Sequence, residues 1–359
     1  MSHRCACPDC LRRAWLLARL AGHLDVQRED ISELLERADE ELIEAVGGGH
    51  AMDVQAAWEG FDAGGYRERC EAAGLETLCR CDPAYPPKLW DLDAEPAVLH
   101  VAGGMERFLE LAARRSVAIV GARRASPYAM ENARALARGV AGLLTVISGM
   151  ASGVDTAAHE GALHGRGDTI AVLGSSPERP YPPSGRRLHR EIIGSGAVVS
   201  ELGPGAPARR WMFPARNRII AALADMTVVV AARKGSGAML TIAEAETLGR
   251  RLGGVPGQVT APLSWGPHKV VKRGGELVTG PDDVLMALDH ERRAPVSSRE
   301  RIDDPQLVTL FDALADGFEP GAAFTEAGLD AEGGLAALAA LEMSGCVRRQ
   351  AGGRYTIVP

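Results

Sequence analysis

The chain has 359 residues, enough for two or three domains, and 46% of them are hydrophobic, enough for a buried core. Charged residues make up 24%, which is typical of a soluble protein, and the net charge of −7 by itself argues against a nucleic-acid binder. No apolar run approaches the roughly 20 residues of a membrane span, and the N-terminus lacks the apolar region of a signal peptide. We therefore predict a cytoplasmic protein with no membrane partner.

The distribution of charge changes the interpretation of the total. Residues 116–260 carry 17 basic and 10 acidic side chains, whereas the rest of the chain carries 23 basic and 37 acidic ones. A basic centre between acidic flanks is expected if the centre binds an anion. A solvated, arginine-rich helical surface is the alternative explanation.

The N-terminus holds three closely spaced cysteines, Cys5, Cys7 and Cys10, among seven in the chain. An odd number of cysteines grouped early in the chain does not form the pattern of a secreted disulfide framework. These three thiols could ligate zinc, with a fourth ligand from His3 or from Cys79 and Cys81. Free thiols on a frayed terminus are the alternative. Because the cysteines do not form the standard pair of two C-x-x-C motifs, we predict neither a metal site nor a cofactor.

The segment that follows the cysteines has helical periodicity as far as Gly74. Leucine, isoleucine and valine recur there at steps of three and four residues, and three glycines at 47–49 stop one helix. We predict a small N-terminal helical domain over residues 1–81 whose role is packing.

The centre of the chain alternates short apolar runs with helix-length segments. This order predicts parallel βαβ units in a doubly wound α/β sheet. Prolines around residues 83–96 prevent regular secondary structure where the chain enters this domain. Residues 96–103 allow a short edge strand. The domain is predicted over residues 82–289, with strands at 116–120, 144–147, 169–173, 197–200, 226–231 and 251–255.

The C-terminal part is predicted to form a separate module. Residues 290–305 are polar and contain proline and serine, as a linker does. Residues 306–359 then give helices at 307–314, 324–329 and 335–343 and a hairpin at 346–349 and 355–358, the order of a winged helix-turn-helix.

Two strand-to-helix turns can hold anions, because helix N-termini present unpaired backbone N–H groups. In the first turn, Arg123 occupies a position at which a dinucleotide-binding loop requires glycine, and its side chain suits a phosphate instead. Ser148 and Gly149 open the second turn. Asp155 and His159 follow four residues apart on one helix face, where a structural Asp–His hydrogen bond is favoured over an acid–base pair.

The densest candidate site is the segment 209–218, where four arginines alternate with tryptophan and phenylalanine just before a predicted helix. Arginines hold phosphates, and aromatic rings stack on unpaired bases. The next turn, around Ser236 and Gly237, is a further anion site at a helix start. The candidate binding residues of the segment are Arg209, Arg210, Phe213, Arg216, Asn217 and Arg218.

Taken together, these motifs resemble the DprA/Smf family of DNA-processing proteins. They run in the family's order over residues 82–288 and are independent of one another. The matching pieces are Tyr85-Pro-Pro87, Val117-Ala-Ile-Val-Gly-Ala-Arg123, Ser148-Gly-Met-Ala-Ser-Gly-Val-Asp155, Ile170-Ala-Val-Leu-Gly174, Tyr181-Pro-Pro183, Trp211-Met-Phe-Pro-Ala-Arg-Asn-Arg-Ile-Ile220 and Val255-Pro-Gly257.

The resemblance implies an extended Rossmann-like domain that binds single-stranded DNA, protects incoming DNA and loads a RecA-type recombinase during natural transformation. It also implies a homodimer formed through that domain and no enzymatic activity. Residue by residue, it gives Arg123 the phosphate contact, Ser148 and Gly149 a backbone cradle, and Arg210 with Phe213 the basic and stacking positions. The N-terminal cysteines and the stretch Arg251-Leu-Gly-Gly254 depart from the family pattern.

Two other functions compete with this one. A nucleotide-binding or nucleotide-hydrolysing enzyme would use Asp155, His159 and the turn at Gly235-Ser-Gly237. A transcription regulator would use the C-terminal module, but its predicted recognition helix over 331–343 contains no lysine or arginine, which readers of the major groove need.

Overall fold

The computed structural model describes residues 6–25, 31–288, 302, 304–349 and 355–357. The chain divides into two compact units, Met1–Glu291 and Arg292–Pro359. Cys5 and most of the predicted linker lie outside the described residues. Within the described part of the chain, no helix is both long enough and apolar enough to cross a bilayer.

The first unit is built on one large, mostly parallel sheet, which confirms the predicted α/β class. The described strands follow the order β1-β2-β6-β5-β4-β3-β7-β8-β9, and only the pairs β1–β2 and β2–β6 are antiparallel. The strands are β1 (Glu76–Cys79), β2 (Val98–Ala102), β3 (Ser116–Gly121), β4 (Thr145–Ser148), β5 (Thr169–Val172), β6 (Ala197–Ser200), β7 (Met226–Ala231), β8 (Arg251–Gly254) and β9 (Glu276–Leu277).

The six predicted parallel strands all form, and most of them are apolar runs buried on both faces. Two strands, β1 and β9, were not predicted. β1 lies after the helical pattern but within residues 1–81, the predicted N-terminal helical domain, and the two exposed residues of β9 form no apolar pattern. The run at 96–103 was expected at an edge, but β2 lies between β1 and β6. Such short strands form because neighbouring strands pair with them, and their own sequences carry too few residues to predict them.

Helices cover both faces of the sheet. Along β3, Ala118 and Val120 enter one hydrophobic core with α7, α11 and α12, whereas Val117 and Ile119 enter another with α8, α9 and α14. The helices are α7 (Met105–Ala113), α8 (Pro127–Val140), α9 (Val154–His164), α10 (Arg186–Ser195), α11 (Met212–Leu223), α12 (Gly237–Thr247), α13 (Trp265–Lys272) and α14 (Pro281–Ala287).

The N-terminal helices belong to the same compact unit as the sheet. Leucines of α1, α3 and α4 share a core with Trp211, whose indole N–H donates to the carbonyl of Ala21 at 3.0 Å. Trp211 is therefore a packing residue and not a stacking platform. These helices are α1 (Pro8–Arg19), α2 (Ala21–Leu24), α3 (Ile31–Glu36), α4 (Asp39–Gly47), α5 (Ala51–Glu59) and α6 (Ala63–Ala72).

The second unit has three helices followed by a two-stranded antiparallel sheet in its described residues, which is the predicted order of elements. Its core contains Leu310, Ala323 and Leu338, one from each helix. The winged-helix assignment itself stays a prediction. The elements are α15 (Pro305–Ala315), α16 (Pro320–Glu326), α17 (Ala331–Met343), β10 (Val347–Arg349) and β11 (Tyr355–Ile357).

The predicted hydrogen bond between Asp155 and His159 is wrong. Both side chains are buried on α9, but the Nδ1 of His159 lies 2.7 Å from the hydroxyl of Thr169. Asp155 instead faces Arg216, with 3.9 Å between the charged atoms. The two side chains share a helix face, yet neighbouring strands and helices offer each a different partner.

Two buried histidines make the stability of this unit dependent on pH. Burial lowers the pKa of His159 to about 3, helped by the charge of Arg216, and burial lowers that of His100 to about 4. The unfolded chain takes up these protons near the ordinary value of about 6.5, before the folded chain does. The contribution of these histidines to folding stability is therefore complete above that pH and is lost as the pH falls.

We expect the free energy of unfolding to fall between pH 7 and pH 5.5 with a slope approaching about 1.4 kcal/mol per pH unit for each histidine. Urea unfolding followed by tryptophan fluorescence measures this slope. His159→Gln should lower this slope by up to about 1.4 kcal/mol per pH unit, the contribution of one histidine. An identical slope in wild type and His159→Gln would contradict the assignment.

Close packing of α8 on α9 depends on a glycine. A Cβ placed on Gly161 would lie 2.2 Å from the carbonyl oxygen of Arg134, which is backbone and cannot move aside. We expect Gly161→Ala to cost about 1–3 kcal/mol of stability, as overpacking does. Gly194→Ala is the matched control, since that helical glycine has open space around it and alanine favours a helix. Equal melting temperatures for the two variants would contradict this packing.

Candidate nucleic-acid interface

A cavity of about 310 Å³ opens at the carboxyl ends of β3 and β7. The strand order reverses direction between these two strands, because β4 to β6 lie on one side of β3 and β7 to β9 on the other. Ligands of doubly wound sheets bind at such a switch point. The turns after β3 and β7 and the first turns of α11 and α12 line the cavity.

The lining of this cavity is basic. It contains four arginines, Arg123, Arg124, Arg216 and Arg233, and one carboxylate, Asp155. Arg123, Arg124 and Arg233 lie at the surface and form no ion pair with a described residue. Three uncompensated guanidinium groups around one opening attract an anion.

Phe213 stands at the mouth of the cavity. The guanidinium carbon of Arg123 lies 4.7 Å from the centre of its ring, and the ring of Tyr181 lies 5.3 Å away at an angle of 43°. Phe213 is half-buried, and Tyr181 is 42% exposed. A second hollow of about 90 Å³ lies beside these rings and Gly149. The group of Arg123, Phe213 and Tyr181 combines a cation with two aromatic faces at the surface.

Arg216 is buried beneath this group. Its guanidinium donates to the carbonyls of Gly149 and Val172 and lies near Asp155. Burial lowers the pKa of Arg216 to about 10, although Asp155 opposes that shift. Burial also raises the pKa of Asp155. Arg216 therefore joins α11 to the ends of β4 and β5 rather than facing solvent.

Ser148 and Gly149, predicted as a phosphate cradle, are buried as well. The Ser148 hydroxyl donates to the carbonyl of Ile119 at 2.7 Å. A Cβ on Gly149 would meet the guanidinium of Arg216, so a larger residue here would displace Arg216 from its carbonyl partners. The turn therefore contributes buried contacts that hold the site in place. Of these two residues, only Gly149 lines a hollow.

The arginine-rich segment divides into an exposed and a buried part. Arg209 and Arg210 are exposed just before α11, without an ion pair to any described residue, but line neither hollow. Arg218 is buried and holds both oxygens of Glu201 at 2.8 and 2.9 Å, as well as two backbone carbonyls. These contacts are structural, and Arg218 is not part of the proposed interface.

Asn217, Ser236 and Gly237 do lie together. The Asn217 amide donates to the carbonyl of Gly237 at 3.2 Å, which ties the start of α12 to α11. The Ser236 hydroxyl is buried at the cavity and has no hydrogen-bond partner among the described residues. An unpaired hydroxyl at a helix start is available to an anion.

Sequence reasoning did not select three residues that the structure brings to this site: Arg124, Arg233 and Tyr181. The two arginines closely follow β3 and β7, so the rule that ligands bind at carboxyl ends could have selected them. Tyr181 lies in the long connection from β5 to α10, and only its place in a Tyr-Pro-Pro motif marked it.

Comparison with known proteins agrees with the resemblance. A family model described as DNA recombination-mediator protein A matches residues 76–289. DNA processing protein DprA of Streptococcus pneumoniae is 37% identical over 208 residues, 58% of this chain and 72% of that protein. A putative DprA of Mycobacterium tuberculosis is 41% identical over 196 residues, 54% of this chain and 50% of that protein.

Two solved structures are also similar. The structure of S. pneumoniae DprA has a TM-score of 0.63 at 29% identity and covers 79% of this chain and 99% of its own. DNA processing protein A of Helicobacter pylori, described for its single-stranded DNA binding mode, has a TM-score of 0.54 at 27% identity, covering 60% and 97%. Since the family model spans more than half of the chain, the chain belongs to the DprA family of DNA recombination-mediator proteins.

Proposed function

We propose that this protein binds single-stranded DNA across the carboxyl edge of its parallel sheet and acts there as a recombination mediator. The observation that carries the proposal is the arrangement of Arg123 over the ring of Phe213, next to Tyr181, at the mouth of a basic cavity. Relatives described as DNA processing proteins, one of them for its single-stranded DNA binding, support it.

The phosphates of the strand contact the exposed arginines. Arg123, Arg124 and Arg233 surround the cavity, and Arg209 and Arg210 extend the basic surface along the approach to α11. The Ser236 hydroxyl and the N-terminus of α12 supply further donors to the same opening. Because each neutralised phosphate releases counterions, this part of the binding weakens as salt rises.

The bases of the strand stack on the aromatic pair. Phe213 and Tyr181 offer ring faces beside the arginines, and such faces accept any unpaired base without reading sequence. A duplex keeps its base faces covered and cannot use them. The arrangement therefore favours single strands over duplex DNA.

We do not propose an enzyme. The nucleotide-hydrolysing alternative depends on Asp155 and His159. His159 is buried and held by Thr169, and Asp155, which lines the cavity, is almost fully buried and faces Arg216. A general base needs hydrogen-bond reach to the group from which it takes a proton. The exposed charged side chains at the cavity are the arginines Arg123, Arg124 and Arg233, which suit phosphate binding rather than proton transfer.

We further propose that the protein acts in the cytoplasm, loads a RecA-type recombinase on the bound strand in natural transformation and works as a homodimer. Membership of the recombination-mediator family supports the first two parts. For the dimer, Leu277 on the outer strand β9 and Met286 on the adjoining α14 are 52% and 58% exposed. Apolar side chains at an open sheet edge support a protein partner there.

We expect Arg123→Ala and Arg210→Ala each to weaken single-strand binding and to reduce the slope of log affinity against log salt by about 0.7, the value for one phosphate on a single strand. Fluorescence anisotropy with a labelled oligonucleotide at several salt concentrations measures both quantities. Arg115→Ala is the matched control. Arg115 is also exposed, but it directly precedes β3 and so lies at the amino ends of the parallel strands, away from the cavity. Affinity and slope unchanged from wild type in both test variants would remove these arginines from the interface.

We expect Phe213→Ala to cost about 1–3 kcal/mol of single-strand affinity, the value of one base stack. The salt slope and duplex binding should stay as in wild type, because no phosphate contact is lost. Phe213→Tyr is the matched control, since it keeps the ring face. The same titration with single-stranded and duplex DNA checks this.

The melting temperature of Phe213→Ala separates a stacking role from a packing role. A buried ring lost from a core costs about 3–5 kcal/mol of stability. A large fall in melting temperature, with single-strand and duplex affinities falling together, would show that Phe213 only packs.

A further inference from the structure

Four cysteine side chains from two distant parts of the chain converge at one point. Cys7 and Cys10 lie at the start of α1, Cys79 ends β1 and Cys81 follows in the next turn. Their four sulfur atoms all lie within 4.8 Å of one another. The grouping is independent of the DNA-binding surface and lies outside the turns and helix starts that line it.

The spacing of the sulfurs matches a single metal ion. The sulfur of Cys81 lies 3.7 Å from that of Cys10 and 3.9 Å from that of Cys7. Thiolates bound to zinc at about 2.3 Å in a tetrahedron stand about 3.8 Å apart. A disulfide requires about 2.05 Å, and all four cysteines are free. The geometry is therefore that of a metal site and not of a pair of disulfides.

The surrounding backbone holds these positions. The amide N–H of Cys7 donates to the sulfur of Cys79 at 3.4 Å, a hydrogen bond of the kind that orients metal-bound thiolates. Next to it, Arg67 donates to the carbonyl of Ala6 at 2.8 Å, and the amide of Ala6 approaches the hydroxyl of Thr77 at 3.5 Å. Protein contacts thus bring the first pair of cysteines to the end of β1.

We propose that Cys7, Cys10, Cys79 and Cys81 bind one zinc ion in a structural tetrathiolate site. Four protein ligands close the tetrahedron and leave no position for water or substrate, as in structural zinc sites. Soft thiolates select zinc over magnesium or calcium. An iron–sulfur cluster would divide its thiolates among several irons and set them further apart than one shared ion does.

The exposure of the ligands fits loading from solution. Cys10 and Cys79 are buried, Cys7 is partly exposed and Cys81 is exposed, so the site is anchored on its inner side and open on its outer side. An entry path of this kind is required of a metal site.

The ion would fasten α1 to the outer strand of the sheet. Cys10 and Cys81 are 71 positions apart in the chain, and α1 contributes Leu11 and Ala14 to a core shared with Val98 of β2. β1 has only four residues and pairs on one side alone among the described strands. A metal bridge between this edge strand and the first helix stabilises both, because the free energy of binding adds to that of folding.

Metal analysis of this protein, purified without a metal-affinity tag, tests the proposal. We expect about one zinc ion per chain, as for a single site with four cysteine ligands. Cys79→Ser and Cys81→Ser should lose this zinc. Cys70→Ser is the matched control: Cys70 lies in the same core but outside the group of four, so this variant should keep its zinc.

Cobalt substitution tests the ligand geometry without depending on how well a variant folds. Co²⁺ added to zinc-free wild-type protein should give the charge-transfer and ligand-field bands of a tetrahedral thiolate complex, and zinc should displace them. Removal of zinc should also lower the melting temperature. Any of four results would overturn the proposal: metal-free protein with four reactive thiols, a disulfide within the group, stoichiometric iron, or undiminished zinc in Cys81→Ser.

Discussion

The buried guanidinium of Arg216 is the contact on which the candidate interface depends. It binds carbonyls at the ends of β4 and β5 and faces Asp155 on α9, and so fixes α11 against three other elements. A buried charge is costly unless it is paired and hydrogen-bonded, and here it is both. Phe213 lies three residues earlier on the same helix, hence on the same face, and Arg123 packs on its ring. The buried arginine thus fixes the helix that carries the Phe213 ring to the mouth of the cavity.

Much of the fold could be predicted from the sequence, because strands buried on both faces are continuous apolar runs, and all six predicted runs are strands. β1 and β9 could not, since a strand of two to four residues depends on pairing with distant residues. The sequence offers Cys79 and Cys81 as further ligands, but only the pairing of β1 with β2 places them beside Cys7 and Cys10.

For the candidate site, the sequence indicates which arginines and aromatic residues are involved, but not which of them are exposed and which are buried. Within one helix, Arg216 and Arg218 point to different partners, while Arg209 and Arg210 precede the helix and stay exposed. Sequence spacing places residues on a helix face but does not identify which carbonyl or carboxylate meets them. Buried guanidinium groups look like binding residues until their acceptors are known. Tyr181 shows the converse, because a long connection brings it to Phe213 without any periodic pattern.

Photocrosslinking to a single-stranded oligonucleotide that carries 5-iodouracil tests the central claim most directly, because it reports which ring faces the bases. Peptide mapping by mass spectrometry should place the crosslinks on Phe213 and Tyr181, at the carboxyl edge of the sheet. Excess unlabelled single strand should suppress them, and the same amount of duplex should not. Crosslinks confined to the unit of residues 292–359, or suppressed equally by duplex, would contradict the account.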